Sequence, residues 1–198
     1  SVSIGVAHST LTYTADTASK AGISRPTSTA LTLTASYDSG PDADRSDHPA
    51  TKFDLDEPSK LCASLSGRTL QMSSTGSCST INVTATFGAV STFHVLAVVK
   101  FSSLTVRFRG CKTDSCSSTE STYTTSLQTI GCTKAFERAR VMVDANLDDG
   151  TVVSNVHGSC TFTSSIGANP MSGRDLRPTV AADTSVTAEF HDEKHSVT

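Results

Sequence analysis

The chain has 198 residues, a formal net charge of −3, a hydrophobic fraction of 36% and no Trp. A length near twice that of one sandwich of about 100 residues favours two small domains over one large core. The acidic balance argues against a nucleic-acid partner, and the longest apolar run, residues 95–99, is too short to span a membrane.

Strand patterns dominate in chain order. Apolar and polar side chains alternate, as in half-buried strands, and turn-forming residues such as Ser66-Gly67 and Asp149-Gly150 separate the runs. Almost no helical periodicity interrupts them, so the sequence predicts an all-β sandwich. The predicted strands cover residues 30–37, 81–87, 104–108, 141–147 and 186–190.

An internal repeat links the two halves of the chain. Residues 31–40 match 141–150, residues 67–70 match 173–176, and residues 83–87 match 186–190, in the same order. Self-similarity of this kind indicates two copies of one structural unit. We therefore predict two tandem immunoglobulin-like (Ig-like) β-sandwich domains, residues 1–98 and 99–198.

The repeated pattern resembles that of bacterial Ig-like group 2 (invasin- and intimin-like) domains. More narrowly, it is similar to the tandem Ig-like repeats of large algal and protist surface glycoproteins, including the mastigoneme proteins of flagellar hairs. The resemblance implies a rigid repeat in a fibrous or adhesive surface protein. The residues that carry it are 140–151 and 176–190 in the second copy, and 30–40 and 70–87 in the first.

Six cysteines in so polar a chain favour disulfides and an oxidising compartment. Zinc is the alternative, but Cys111 and Cys116 form the one close pair, and no second pair completes a tetrahedral site. Six cysteines allow about 15 pairings. The preferred set keeps each bridge within one domain: Cys62–Cys78, Cys111–Cys116 and Cys132–Cys160.

Asn82 lies in the chain's one Asn-x-Ser/Thr sequence with a non-proline middle residue. Alternation along residues 81–87 directs Asn82 away from the core, so it is the predicted acceptor of an N-linked glycan. Its alternative is an unmodified surface residue.

Acidic residues suggest two weaker cation sites. The stretch from Asp144 to Gly150 resembles a calcium loop, but its glycine comes one residue late and Asn155 stands where a bidentate Glu is needed. A second acidic stretch, residues 38–47, holds four aspartates. A turn and solvated carboxylates are the preferred interpretations, so no metal and no cofactor are predicted.

Residues 191–195, His-Asp-Glu-Lys-His, lack the His-Glu-x-x-His order of zinc proteases and are predicted to form a linker after the last strand. No Gly-x-Ser-x-Gly nucleophile motif is present, and no enzymatic activity is expected. The expected function is a structural repeat of an extracellular glycosylated filament or surface coat, such as a flagellar hair. Its expected partners are other copies of itself or neighbouring Ig-like repeats, in a homopolymer, and covalent glycans. The alternative is an adhesin or receptor module that binds a ligand through loops at one end of the sandwich.

Overall fold

A computed structural model describes residues 1–16, 26–113, 115–131, 135–191 and 193–197. The chain divides into two compact units, Ser1–Lys100 and Phe101–Thr198. Both are built almost entirely of β-strands, which confirms the predicted all-β class. We refer to them as the first and the second unit.

The first unit is an Ig-like sandwich of two sheets. One sheet has the strand order β1-β3-β7-β6 with β4 paired to β3, and the other has the order β2-β9-β8-β5. These orders correspond to the A-B-E-D and C-F-G sheets of an immunoglobulin domain, with β2 added in parallel beside β9. The elements are β1 (Val2–Val6), β2 (Thr10–Leu11), β3 (Ser28–Ala35), β4 (Ala43–Asp44), β5 (Thr51–Leu55), α1 (Glu57–Lys60), β6 (Ala63–Ser66), β7 (Thr69–Met72), β8 (Thr80–Phe87) and β9 (Val90–Val98).

The second unit repeats this plan, with an extra strand β11 and, among its described residues, no counterpart of β2. Its sheets have the orders β11-β10-β12-β16-β15, with β13 paired to β12, and β14-β17-β18. The extra strand β11 pairs with the outer side of β10. The elements are β10 (Phe101–Cys111), β11 (Thr119–Thr124), β12 (Ala139–Leu147), β13 (Val152–Val153), the 3-10 helix η1 (Val156–Ser159), β14 (Cys160–Ser164), β15 (Met171–Ser172), β16 (Asp175–Leu176), β17 (Val186–Phe190) and β18 (Glu193–Val197).

The matched sequence segments occupy the same places in the two units. Residues 67–70 and 173–176 each form a two-residue hairpin turn and its outgoing strand, and Gly67 and Gly173 have φ values of +58° and +61°. The next residue accepts the same backbone hydrogen bond in both units: Leu31 N donates to Arg68 O, and Val141 N to Arg174 O, each at 2.8 Å. Apart from β2 and β11, the two units are therefore copies of one module in strand order and in register.

Alternating burial explains why these segments form strands. In β3, β8 and β12, the apolar side chains that alternate along the sequence are buried, and most polar ones between them are not. Each unit thus buries one face of each sheet against the other. The core of the second unit comprises Leu104, Val106, Phe108, Ala139, Val141, Val143, Ala145, Leu147, Leu176, Val186, Ala188 and Phe190.

The prediction of a linker at residues 191–195 is wrong. His191 lies in a turn, and residues 193–197 form β18, which pairs antiparallel with β17. His191 has a φ of +45°, at the turn position that Gly88 takes in the first unit with +60°. A polar sequence hid this strand, because an edge strand of an antiparallel hairpin needs backbone pairing rather than apolar alternation.

Candidate functional site

Among the described residues, the structure contains two disulfide bridges, Cys62–Cys78 and Cys111–Cys116. The first ties the C-terminal end of α1 to the segment before β8, and the second closes a loop between β10 and β11. Cys132 lies outside the described residues, so the pairing Cys132–Cys160 stays a prediction. Cys160 is half-buried at the start of β14 with its Sγ 3.5 Å from Val156 O, and burial raises the pKa of its thiol to about 11.

Asn82 faces away from the core, and its side chain is already engaged. Its Nδ2, the atom that would carry a glycan, donates a 2.7 Å hydrogen bond to Asp56 Oδ2, and its backbone N donates to Ser59 Oγ at 2.9 Å. Asp56 also caps α1 by accepting from Ser59 N. The hydrogen bonds from Ser59 and then from Asn82 lower the pKa of the Asp56 carboxyl. Asn82 therefore fixes α1 against β8, and glycosylation there stays a prediction.

Carboxylates of the two acidic segments have protein partners. Asp144 is nearly buried, accepts from Asn155 N at 2.9 Å and pairs with Arg107. Asp47 pairs with Arg68 at 3.3 Å between Oδ2 and Nη1. Within the described residues, no group of three or more His, Cys, Asp and Glu side chains is placed to hold a metal ion.

A row of polar side chains crosses the outer face of the larger sheet of the second unit. Arg140 of β12 makes two hydrogen bonds to Asp175 of β16, at 2.7 and 3.1 Å, with both side chains mostly buried. Beside it, the guanidinium carbons of Arg107 and Arg109 lie 4.3 and 4.8 Å from the ring centre of Tyr123. Sequence analysis did not find this row, because its members come together only in the register of four strands.

Strand β9 presents an exposed apolar edge. Phe93 and Val95 are 74% and 48% exposed, although both lie in the middle of the strand. On one side β9 pairs with β8 along its whole length. On the other, β2 pairs only with Ala97 and Val98, and no described strand pairs with the rest of that edge.

Strand order, register and disulfides define the class of the chain: a tandem repeat of disulfide-bonded Ig-like sandwiches. No family model matches the chain, and no curated protein matches it. Among solved structures, it is similar to domains 6–7 of the surface layer protein SbsC, at 10% sequence identity and a TM-score of 0.37, over 99% of this chain and 96% of that one. Similarity at this level supports no functional conclusion. None of the described helices is long and apolar enough to cross a membrane.

Proposed function

We propose that this chain is a structural, non-catalytic segment of an extracellular or cell-surface protein that is built from successive copies of one Ig-like module. The observation that carries the proposal is the duplication itself. The two copies share strand order, turn glycines and the backbone hydrogen bond to Arg68 or Arg174. Proteins built from such repeats extend by the addition of further modules.

The disulfides support an extracellular location. Bridges form and persist in oxidising compartments and are rare in the cytosol. Both described bridges connect segments of the same unit, so each module is secured independently of its neighbour.

The finer proposal is a homopolymeric glycosylated filament, of which a flagellar hair is one example, and the edge of β9 supports self-association. An exposed strand edge with apolar side chains is a template for pairing with another chain. Strand β9 contains no Asp, Glu, Lys or Arg, whereas β18, its counterpart in the second unit, contains Glu193 and Lys194. The exposed edge of β9 thus lacks the charged side chains that commonly prevent an edge strand from pairing with another chain.

Replacing Phe93 and Val95 by Lys should abolish self-association without unfolding the first unit. Both side chains are exposed, so the change costs little stability, while positive charges on facing strands repel one another. The measurement is light scattering after size-exclusion chromatography, over a concentration series, together with electron microscopy. The matched control is Val152→Lys, which alters an equally exposed valine on β13 (55% exposed).

Association of the native chain that persists in the double variant would place the contact elsewhere. Dispersed native monomers at every concentration would instead contradict the filament and favour the alternative, an adhesin or receptor module. The alternative requires a ligand site at one end of a sandwich, which the filament does not.

Glycosylation at Asn82 is tested by mass. Protein secreted from a eukaryotic host should lose the mass of one N-linked glycan on treatment with an amidase that cleaves such glycans. The Asn82→Gln variant should show no such loss. Unchanged mass of the native chain on this treatment would show that Asn82 serves only its hydrogen bond to Asp56.

A further inference from the structure

The hairpin turn between β15 and β16 and the segment that contains η1 enclose a groove of about 640 Å³ in the second unit. His157 of η1 and Arg174 of the turn both line it, together with Cys160, Phe162 and Met171. The groove is open to solvent, so a solute can reach the residues that line it.

Two buried nitrogens at this groove have no hydrogen-bond partner among the described residues: His157 Nδ1 and Arg174 Nη1. Native proteins leave few buried polar groups unpaired, so each such atom calls for an explanation. The nearby carboxylates are already used, because Asp175 pairs with Arg140 and Asp144 with Arg107. Arg174 forms no ion pair with a described carboxylate.

Comparison of the two copies suggests which group is missing beside Arg174: a carboxylate. Arg68 takes the place of Arg174 in the first unit, one residue after the turn glycine. Counted from the strand pairing, Asp47 corresponds to His157, although Asp47 lies in an exposed turn and His157 in the 3-10 helix η1. Asp47 lies four residues after Ala43, which pairs with Ala35, and His157 lies four residues after Val153, which pairs with Ala145.

In the first unit these two positions form an ion pair, with Arg68 Nη1 3.3 Å from Asp47 Oδ2. In the second unit a histidine stands at the counted position of the aspartate, and no described carboxylate lies within ion-pair distance of Arg174, although the charge of Asp175 still acts on it. Burial lowers the pKa of His157, and the charges of Arg174 and then Arg140 lower it further, against a smaller opposite effect of Asp144. The charges that act on His157 are therefore mainly positive.

We propose that this groove binds an oxyanion, the carboxylate or sulfate of a small acidic ligand, in the position that the Asp47 carboxylate occupies in the first unit. The anion accepts hydrogen bonds from the guanidinium of Arg174 and from an N–H of the His157 imidazole, which becomes an imidazolium as the pH falls. Guanidinium and imidazolium donors form strong, charge-assisted hydrogen bonds with such groups. This site does not depend on the filament proposal.

The test uses the full chain and two probes, sodium sulfate and sodium acetate, each against sodium chloride of equal ionic strength. Nuclear magnetic resonance follows the His157 imidazole and the amides of Gly158 and Gly173. We expect saturable shifts confined to the groove and an increase in the pKa of His157, because a bound anion stabilises the imidazolium. Binding should consequently tighten as the pH falls. The relative affinities of the two probes distinguish a tetrahedral from a planar ligand group.

Two variants and one matched control separate binding from general charge effects. Arg174→Gln removes the guanidinium, and His157→Asp supplies the carboxylate of the first unit, so both should lose the saturable response. Arg68→Gln, at the equivalent turn position, should keep it. The proposal is overturned if neither anion produces a saturable response, or if the responses of Arg174→Gln and the native chain are equal.

Discussion

Replacing Phe190 by Ala should destabilise the second unit by about 3–5 kcal/mol, the range for truncating a buried Phe. The Phe190 ring is fully buried at the end of β17 and packs 6.0 Å from the Phe101 ring of β10, centre to centre. Its removal leaves a cavity where the two sheets of the unit meet. Because single domains are stable by only about 5–15 kcal/mol, this loss is a large fraction of the stability of the unit.

The repeat supplies the control. Phe87 ends β8 in the first unit at the same position, but it is only partly buried and contacts the ring of His48 at 5.1 Å. Phe87→Ala should therefore cost only about 1–2 kcal/mol, since less apolar surface returns to water. Urea unfolding, followed by amide signals of each unit, measures both. Equal losses of unfolding free energy in Phe190→Ala and Phe87→Ala would contradict the difference in burial between the two rings.

Strands with a clear period of two could be predicted from sequence, and the structure confirms them. Residues 81–87 alternate strictly, and residues 141–147 do so except at the apolar Met142; they form β8 and β12 with the expected apolar side chains buried. Short strands such as β14, Cys-Thr-Phe-Thr-Ser, could not be found in this way. Polar residues surround a single aromatic there, so position in the sheet rather than local pattern determines the conformation.

The candidate sites could likewise be predicted only in part from the sequence. Alternation alone directed Asn82 outward, which the structure bears out, but its hydrogen bond to Asp56, 26 residues earlier, depends on where α1 lies. Predicting that Arg174 and His157 line the same groove requires further structural information. The relation between them becomes visible when the register of both copies is known and Asp47 can be compared with His157. Local sequence specifies faces of strands, while contacts between distant segments follow from pairing.

The strand register also identifies a second site where substitutions should have a large effect on stability, the ion pair between Arg140 and Asp175. The two residues are opposite each other in β12 and β16, and their counterparts in the first unit are Ala30 and Thr69. One copy of the module thus uses a mostly buried ion pair where the other uses a small apolar residue and a hydroxyl. Such a substitution is possible because the desolvation cost of a buried ion pair largely offsets its attraction.

Asp175→Thr alone should therefore destabilise the second unit by about 3 kcal/mol, because it leaves the Arg140 guanidinium, with 18% of its side chain exposed, without its carboxylate. The double variant Arg140→Ala/Asp175→Thr recreates the pair of the first unit and should lie within about 1 kcal/mol of the native chain. A double-mutant cycle in urea measures the coupling. Additive losses in the cycle would mean that Arg140 and Asp175 contribute to stability through separate contacts, and that the neutral pair of the first unit depends on its own surroundings.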